Sequence, residues 1–291
     1  MGLSAGTPLS VRTADGFELS ATRFDAVNAG GTALIAGAMA VPQDFYAPFA
    51  RFLAESGIHA TTFDYRGMGR APRVGVKAVD TDVARWAEQD LAAMLIEARK
   101  PSHDVPLVFV GHSLGGQLVG VTPGNEAIAA SVHVAAGSGY YKFNDRMPVL
   151  VRALWFVYMP LFTPLFGYFP GKMLRAVGDL PRGVTWQWRR WCLHPEYLLS
   201  EPGYAERYAG FRAPILSYSF EDDDINTKNG IDHLHASYPK VTRRHVQPRD
   251  VGQPRIGHFG FFNERCREPL WNDALAWLKA GARYPPESTT Q

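Results

Sequence analysis

Short segments rich in apolar and β-branched residues alternate along the chain with longer segments in which apolar residues recur every three to four positions. The short segments predict strands, of which 107–110 is expected to be buried on both faces, and the longer segments predict amphipathic helices. Strands that alternate with helices are typical of an α/β fold with a mostly parallel central sheet flanked by helices. The predicted strands are 9–13, 19–24, 32–37, 59–63, 107–110, 130–135, 214–219 and 241–246, and the predicted helices are 44–56, 80–100, 227–238 and 264–282.

This alternation stops after Gly139 and resumes near residue 213. Residues 140–212 are rich in Trp, Phe, Tyr and Pro and show no strand–helix rhythm. We interpret them as an inserted helical cap, and residues 1–139 and 213–291 as one core domain. A chain of 291 residues is long enough for one α/β domain with such an insertion.

Within the predicted cap, residues 147–170 are apolar enough to suggest contact with a membrane. Arg152 and the prolines at positions 148, 160, 164 and 170 argue against a single membrane-spanning helix. We therefore expect a cap packed over a site, without integral membrane insertion. Contact of this segment with a lipid interface is the alternative. Its apolar and aromatic side chains favour a small hydrophobic acyl substrate.

Composition and charge exclude some classes of partner. Hydrophobic residues make up 46% of the chain, charged residues make up 20%, and the formal net charge is +2. Because the basic residues are scattered rather than clustered, no nucleic-acid partner is expected. The two cysteines, Cys192 and Cys266, form no disulfide framework, and the N-terminus lacks the features of a signal peptide. We expect a cytoplasmic protein, and the oligomeric state stays open.

The most specific motif follows the predicted strand 107–110. Residues 111–115 read Gly-His-Ser-Leu-Gly, a G-x-S-x-G motif, and a helix-compatible segment begins at Gln117. A strand, a tight turn and a helix in this order predict a nucleophile elbow, with Ser113 exposed at the carboxyl edge of the sheet. The N–H of Leu114 would then face a developing oxyanion, and His112 is expected to have a structural role.

A serine nucleophile needs a base, and the base needs a carboxylate to orient it. Among nine histidines, His258 follows a glycine between the last predicted strand and the last predicted helix, where the histidine of such a triad belongs. The acidic run 221–224 follows the strand 214–219, where the acid belongs. We prefer Asp223 as the acid, with Asp222 as the alternative. A solvated acidic turn or a weak calcium site would be the non-catalytic interpretation of this run.

A second oxyanion donor is expected in the loop after the strand 32–37. Residues 36–42 are mostly small and would let the backbone approach a ligand. The candidate donors are the N–H groups of Met39 and Ala38, and the sequence does not separate them. No pattern in the sequence calls for a cofactor or a metal.

Together these motifs resemble the α/β-hydrolase superfamily over nearly the whole chain. The signs are Gly111–Gly116 around Ser113, the Asp-Tyr-Arg-Gly-Met-Gly loop at 64–69, the acidic loop at Asp223, and the pair Gly257-His258. More closely, the chain resembles a bacterial group of predicted α/β-hydrolases with no settled substrate, through residues 41–43, Gln117 after the elbow, residues 186–192 and residues 257–262. The resemblance implies hydrolysis of acyl esters, thioesters or amides without a cofactor.

The chain departs from the superfamily pattern in two places. Ala36-Gly37 stands where His-Gly is frequent, and Arg70 stands where serine is usual. Neither departure removes a catalytic group. A serine nucleophile in place of aspartate argues against the dehalogenase and epoxide-hydrolase branches.

The leading hypothesis is a carboxylesterase that acts on a hydrophobic ester or thioester through Ser113, His258 and Asp223 and an acyl-enzyme intermediate. An acyltransferase or a serine peptidase with the same triad is the first alternative. A non-catalytic ligand-binding protein on the same scaffold is the second.

Overall fold

One sheet of eight strands organises the part of the chain that the computed structural model describes, residues 6–70 and 75–283. Its spatial order is β1-β2-β4-β3-β5-β6-β9-β10. β1 and β2 pair antiparallel, as do β2 and β4, and all the remaining pairs are parallel. The strands are β1 Thr7–Arg12, β2 Glu18–Phe24, β3 Thr32–Ala36, β4 His59–Phe63, β5 Leu107–His112, β6 Ile128–Val134, β9 Ile215–Phe220 and β10 Val241–Val246. The predicted mostly parallel α/β sheet is therefore confirmed.

Helices cover both faces of this sheet and create two apolar cores. One core contains Trp86 and Leu114, and the other contains Phe49 and Trp271. The α-helices are α1 Ala47–Glu55, α2 Val83–Arg85, α3 Ala92–Arg99, α4 Leu114–Leu118, α5 Pro148–Ala153, α6 Met159–Phe166, α7 Arg182–Leu193, α8 Tyr204–Ala209, α9 Lys228–His235 and α10 Asn272–Arg283. Every residue of the central strand β5 is buried, which explains its continuous apolar sequence.

Three of the long helices contain a π-helical segment in the described part of the chain. These segments are Trp86–Leu91 between α2 and α3, Leu154–Tyr158 between α5 and α6, and Arg267–Trp271 before α10. A π-helical turn adds a residue to the helix and shifts the apolar stripe after it. Hydrophobic periodicity predicted the existence of the core helices, but it could not reveal this change of phase.

Between β6 and β9 the chain forms α5–α8 and a two-stranded antiparallel sheet. The two strands are β7 Tyr168–Phe169 and β8 Leu180–Pro181. This is the segment in which a helical cap is predicted, and the boundaries 140–212 stay a prediction. The prediction about a signal peptide concerns residues at the N-terminus, of which 1–5 lie outside the described part.

The apolar segment forms a helix that Pro148, Pro160 and Pro164 do not break, although in the sequence these prolines argue against a membrane-spanning helix. A helix runs without interruption over Pro148–Phe166. Pro148 lies in the first turn of the helix, where a missing N–H costs little. Pro160 lies two residues after the π-helical segment Leu154–Tyr158, and Pro164 lies inside α6. By length and composition alone this helix could cross a membrane, and only 17% of its most apolar window is buried.

Candidate active site

Ser113 lies in a strained turn between β5 and α4. Its backbone has φ 49° and ψ −112°, and its N–H donates to the main-chain oxygen of Val134 at 2.9 Å. A non-glycine residue in this region is strained by about 1–3 kcal/mol, which the surrounding packing must offset. The turn keeps Ser113 8% exposed in an otherwise buried segment. This geometry is the one expected of a nucleophile elbow.

The glycines of the G-x-S-x-G motif are required because the backbone passes too close for a side chain. A Cβ at Gly111 would lie 2.4 Å from the backbone nitrogen of Gly116, and a Cβ at Gly115 would lie 2.2 Å from the main-chain oxygen of Ala36. Backbone atoms cannot move aside as a flexible side chain could. The sequence pattern around Ser113 therefore has a steric cause in this structure.

His258 and Asp223 are in direct contact. His258 Nδ1 lies 2.9 Å from Asp223 Oδ2, and both side chains are almost completely buried. The other carboxylate oxygen, Asp223 Oδ1, accepts the N–H groups of Ile225 and Asn226 at 2.8 and 2.9 Å. These bonds orient the carboxylate toward the ring. With Nδ1–H donating to Asp223, the neutral imidazole keeps Nε2 free to accept a proton.

The neighbouring Asp222 makes different contacts. Its two carboxylate oxygens accept the N–H groups of Ile256 and Gly257, each at 2.9 Å. Asp222 thus fixes the loop that carries His258, whereas Asp223 contacts the ring itself. In the described residues no three His, Cys, Asp or Glu side chains are grouped so that they could hold a metal ion, the acidic loop included.

His112, the residue before Ser113, ties the elbow to two other loops. Its Nε2 lies 2.9 Å from the main-chain oxygen of His258, and its Nδ1 lies 2.8 Å from Tyr46 Oη. Burial holds the pKa of His112 well below its usual value, so the ring is neutral. Only Nε2 can then donate to a carbonyl, and Nδ1 must accept from the Tyr46 hydroxyl. The expected structural role of His112 agrees with these contacts.

Tyr46 also accepts one of the two backbone N–H groups that are candidate oxyanion donors in the loop after β3. The N–H of Ala38 donates to Tyr46 Oη at 2.8 Å, so this donor is already used. Within the described residues, the N–H groups of Met39 and Leu114 donate to no protein group. Leu114 begins α4, where an unpaired N–H and the helix dipole both favour a negative charge.

The structure brings His258 and Asp223 into contact but does not join the Ser113 hydroxyl to them. Among the described residues, Ser113 Oγ has no hydrogen-bond partner. Ser113 nevertheless adjoins His112, whose ring centroid lies 5.0 Å from that of His258. The three predicted residues therefore lie on neighbouring loops at the same edge of the sheet.

A second hydrogen-bond network joins the elbow helix to the inserted segment. Gln117 Nε2 donates to the main-chain oxygen of Gly137 at 2.7 Å, and Tyr197 donates to Gln117 Oε1 at 2.9 Å. Trp188 Nε1 donates to Tyr197 Oη at 3.2 Å. Sequence reasoning did not single out Tyr197 or Tyr46. No local signal could have identified them, because their partners lie more than 60 residues away.

The loop after β4 is held by a buried carboxylate. Asp64 accepts the backbone and side-chain N–H groups of Gln43 at 2.8 and 2.9 Å and the N–H of Arg70 at 2.9 Å. A Cβ at Gly69 would lie 2.1 Å from Asp64 Oδ1. The glycine-rich sequence 64–69 is therefore a structural support for the loop that precedes α1.

An apolar cavity of about 330 Å³ lies between the inserted segment and the acidic loop. Its walls include Val151, Leu154, Trp155 and Trp188. Among the described residues that line it, Arg175 is the charged one, and none is Asp or Glu. Ser113 and His258 are not part of its walls. Asn226 connects the two regions, because it lines the cavity and its N–H donates to Asp223.

Comparison with known proteins gives the same fold. DcsB, solved in complex with a substrate analogue, superposes with a TM-score of 0.70 at 14% identity, over 95% of this chain and 100% of that chain. An esterase of Pyrococcus furiosus gives a TM-score of 0.62 at 13% identity, over 96% of this chain and 91% of that chain. A putative lipase of Acinetobacter baumannii gives 0.63 at 15% identity, over 96% and 93%.

At such low identities the likeness to solved structures shows the fold alone. No curated protein matches the sequence significantly. The model of the alpha/beta hydrolase family, however, matches residues 33–269, which is well over half of the chain. The chain therefore belongs to the alpha/beta hydrolase family and is a hydrolase.

Proposed function

We propose that this hydrolase is a serine carboxylesterase that cleaves a hydrophobic ester or thioester. The observation that carries the proposal is the buried contact of His258 Nδ1 with Asp223 Oδ2 at 2.9 Å. The main-chain oxygen of His258 accepts a hydrogen bond from His112, the residue before Ser113 in the strained turn. A base oriented by a carboxylate next to an elbow serine is the arrangement that activates a hydroxyl for acyl transfer.

In the proposed reaction Ser113 Oγ attacks the carbonyl carbon while His258 Nε2 takes the hydroxyl proton. Asp223 stabilises the imidazolium that forms. The N–H groups of Leu114 and Met39 bind the oxyanion, and neither donates to a protein group among the described residues. His258 then protonates the leaving alcohol or thiol as its bond to the acyl carbon breaks.

Water completes the cycle by attacking the acyl-enzyme. His258 takes a proton from this water, and the acid product leaves as Ser113 regains its proton. The reaction needs Ser113 Oγ within hydrogen-bonding reach of His258 Nε2. Such bonds are commonly long in free enzymes and tighten when the substrate binds.

The apolar cavity supports a hydrophobic acyl group as the substrate. It lies beside Asn226, and Asn226 is bonded to the proposed catalytic acid. Its walls are mostly aliphatic and aromatic, with Arg175 as a charged residue among them, and such walls favour an acyl chain. The peptidase alternative would require a carboxylate to hold a free amine, and none lines the cavity among the described residues.

Covalent labelling with a fluorophosphonate tests the serine assignment. We expect one adduct by intact mass, located on Ser113 by peptide mapping, and none in Ser113→Ala. A His258→Ala variant should be labelled far more slowly, because the base is missing. If the folded wild-type protein forms no adduct, the serine assignment is wrong and the non-catalytic binding protein becomes the better proposal.

The acyl pocket is tested with a panel of soluble esters from acetate to octanoate. Val151→Phe narrows the cavity and should lower kcat/KM for the octanoate ester while sparing the acetate ester. Val149→Phe is the matched control, because Val149 is exposed and does not line the cavity. Equal loss across the panel would show that acyl chains bind elsewhere. Faster release of the acyl group by an added alcohol than by water would favour the acyltransferase.

A further inference from the structure

The inner side of the helix Pro148–Phe166 is attached to the rest of the protein. Trp155, Met159 and Thr163, spaced four residues apart, are buried against it. Arg189 Nε also donates to the main-chain oxygen of Trp155 at 2.6 Å. This helix is therefore packed along its length against the rest of the inserted segment and the core.

The outer side of the same helix is apolar and uncovered. Six of its aliphatic or aromatic residues, together with one methionine that follows it, are each more than half exposed. They are Val149, Leu150, Phe156, Val157, Leu161, Leu165 and Met173. We call these seven residues the outer face. An apolar group of this size on a soluble protein commonly marks a binding surface.

Basic residues surround the outer face. The helix contains one charged residue, Arg152, and residues 140–179 contain five basic residues and two acids, Asp145 and Asp179. In the described part of the chain, the exposed cations near the outer face include Lys142, Arg152, Lys172, Arg175 and Lys77, the last of which lies against Gly167 at the end of the helix. Within the described residues none of these five cations has an acidic partner at ion-pair distance.

We propose that the outer face docks onto the surface of a bilayer that contains anionic lipids. Exposed apolar side chains enter the acyl region, while the surrounding Lys and Arg side chains contact the headgroups. A second copy of the chain is a less suitable partner for the outer face than an anionic bilayer. A two-fold symmetric pair through this face would bring the same unpaired cations together, and like charges repel.

Docking would also place the apolar cavity at the lipid surface. Leu150 belongs to the outer face and also lines the cavity, so the cavity borders this face. A hydrophobic molecule could therefore pass from the bilayer into the cavity without crossing water. Binding to lipid does not depend on the proposed serine chemistry and is measured separately from it.

Cosedimentation of the full chain with lipid vesicles tests the proposal. We expect binding to vesicles of phosphatidylcholine with phosphatidylserine, weaker binding to phosphatidylcholine alone, and loss of the difference at high salt. Leu161→Asp should weaken binding about tenfold or more, since it removes one aliphatic side chain that the bilayer would bury and adds a charge of the same sign as that of the lipid. Ile96→Asp is the matched control, because Ile96 is a comparably exposed aliphatic residue on α3.

The Lys172→Ala, Arg175→Ala double variant should lose the preference for anionic vesicles and keep the weaker binding to neutral ones. Hydrolysis of a short soluble ester should be the same in Leu161→Asp and wild type. This result separates lipid docking from catalysis, and an inactive wild type would leave the sedimentation result valid.

Equal binding of Leu161→Asp and Ile96→Asp to anionic vesicles would overturn the proposal. A wild-type protein that does not cosediment with anionic vesicles would overturn it as well. A concentration-dependent dimer that Leu161→Asp abolishes would instead assign the outer face to a second copy. Binding that resists alkaline extraction would show insertion across the bilayer and would equally overturn docking at the surface.

Discussion

His112 Nε2 donates a hydrogen bond to the main-chain oxygen of His258 at 2.9 Å. The residue before the proposed nucleophile therefore holds the loop that carries the proposed base. The distance between the two loops therefore depends on which nitrogen of the buried His112 ring carries the proton. Tyr46 determines this tautomer, because its hydroxyl donates to the other ring nitrogen, Nδ1.

Tyr46→Phe is expected to lower both activity and stability. It leaves the Ala38 N–H and His112 Nδ1 without partners, and each unsatisfied buried group costs about 1–3 kcal/mol. His112 could then adopt the other tautomer and release the His258 loop. We expect kcat to fall about tenfold or more, because displacement of a catalytic group by about 1 Å can cost 10²-fold. Steady-state kinetics and urea denaturation measure the two effects.

Tyr65→Phe is the matched control for Tyr46→Phe. Tyr65 is as deeply buried as Tyr46, but its hydroxyl has no hydrogen-bond partner among the described residues. Removal of this hydroxyl should leave kcat unchanged and should leave the free energy of unfolding equal or slightly higher. Similar losses of kcat and of stability in both variants would mean that the volume of the hydroxyl group, and not its hydrogen bonds, is responsible.

Replacement of the two neighbouring aspartates should separate catalysis from loop support. Asp223→Asn removes the acceptor of His258 Nδ1, and kcat should fall on the order of 10⁴-fold. Asp222→Asn leaves one of two backbone N–H groups unpaired, so it should lower stability by about 1–3 kcal/mol and reduce kcat far less. Ester turnover and thermal unfolding should be measured for both variants. The reverse order of kcat would reassign the catalytic acid to Asp222.

A pair of buried histidines should make the protein sensitive to mild acid. His235 Nδ1 donates to the main-chain oxygen of Ile231, so its Nε2 accepts from His133 Nδ1 at 3.0 Å. Burial lowers the pKa of His235 to about 4 and holds the pKa of His133 well below its usual value. The unfolded chain, with an ordinary pKa of about 6.5, then binds more protons than the folded chain as the pH falls.

Stability should consequently be full above about pH 6.5 and should decline as the pH falls toward 4. Between about pH 7 and pH 5, the free energy of unfolding should fall by about 2 kcal/mol for each such histidine. Urea denaturation at both pH values measures this loss, which should be smaller in His235→Gln. His103→Gln, at an exposed loop position, should keep the wild-type dependence. An identical pH dependence in all three proteins would rule out the buried pair as its source.

The core of the fold could be predicted from the sequence because the information is local. Apolar runs such as 107–110 and 33–36 are strands because they are buried on both faces. The glycines at 111 and 115 indicate a close approach of the backbone, which the structure contains. The continuity of the helix over 148–166 could not be predicted, because proline usually breaks a helix and only Pro148 lies in a first turn that tolerates it.

Part of the candidate site could likewise be predicted from the sequence, and part of it could not. Chain order alone pointed to Ser113, His258 and an acid near residue 223, since parallel strands bring their carboxyl ends to the same edge. The choices between Asp223 and Asp222, and between Met39 and Ala38, depend on contacts that arise after folding. Two adjacent side chains differ in direction and in the N–H groups that they meet, and no sequence pattern records this.

Local preference along the chain is enough to specify strands, helices, strained turns and their order, because each depends on a few neighbouring residues. The contact of Tyr46 with His112 joins residues 66 positions apart, and the contact of Tyr197 with Gln117 joins residues 80 apart. Such partners are selected by packing of the whole fold, where many weak contacts together determine which groups meet. The exposure of the outer face follows for the same reason, since an apolar helix is buried or left uncovered according to what packs against it.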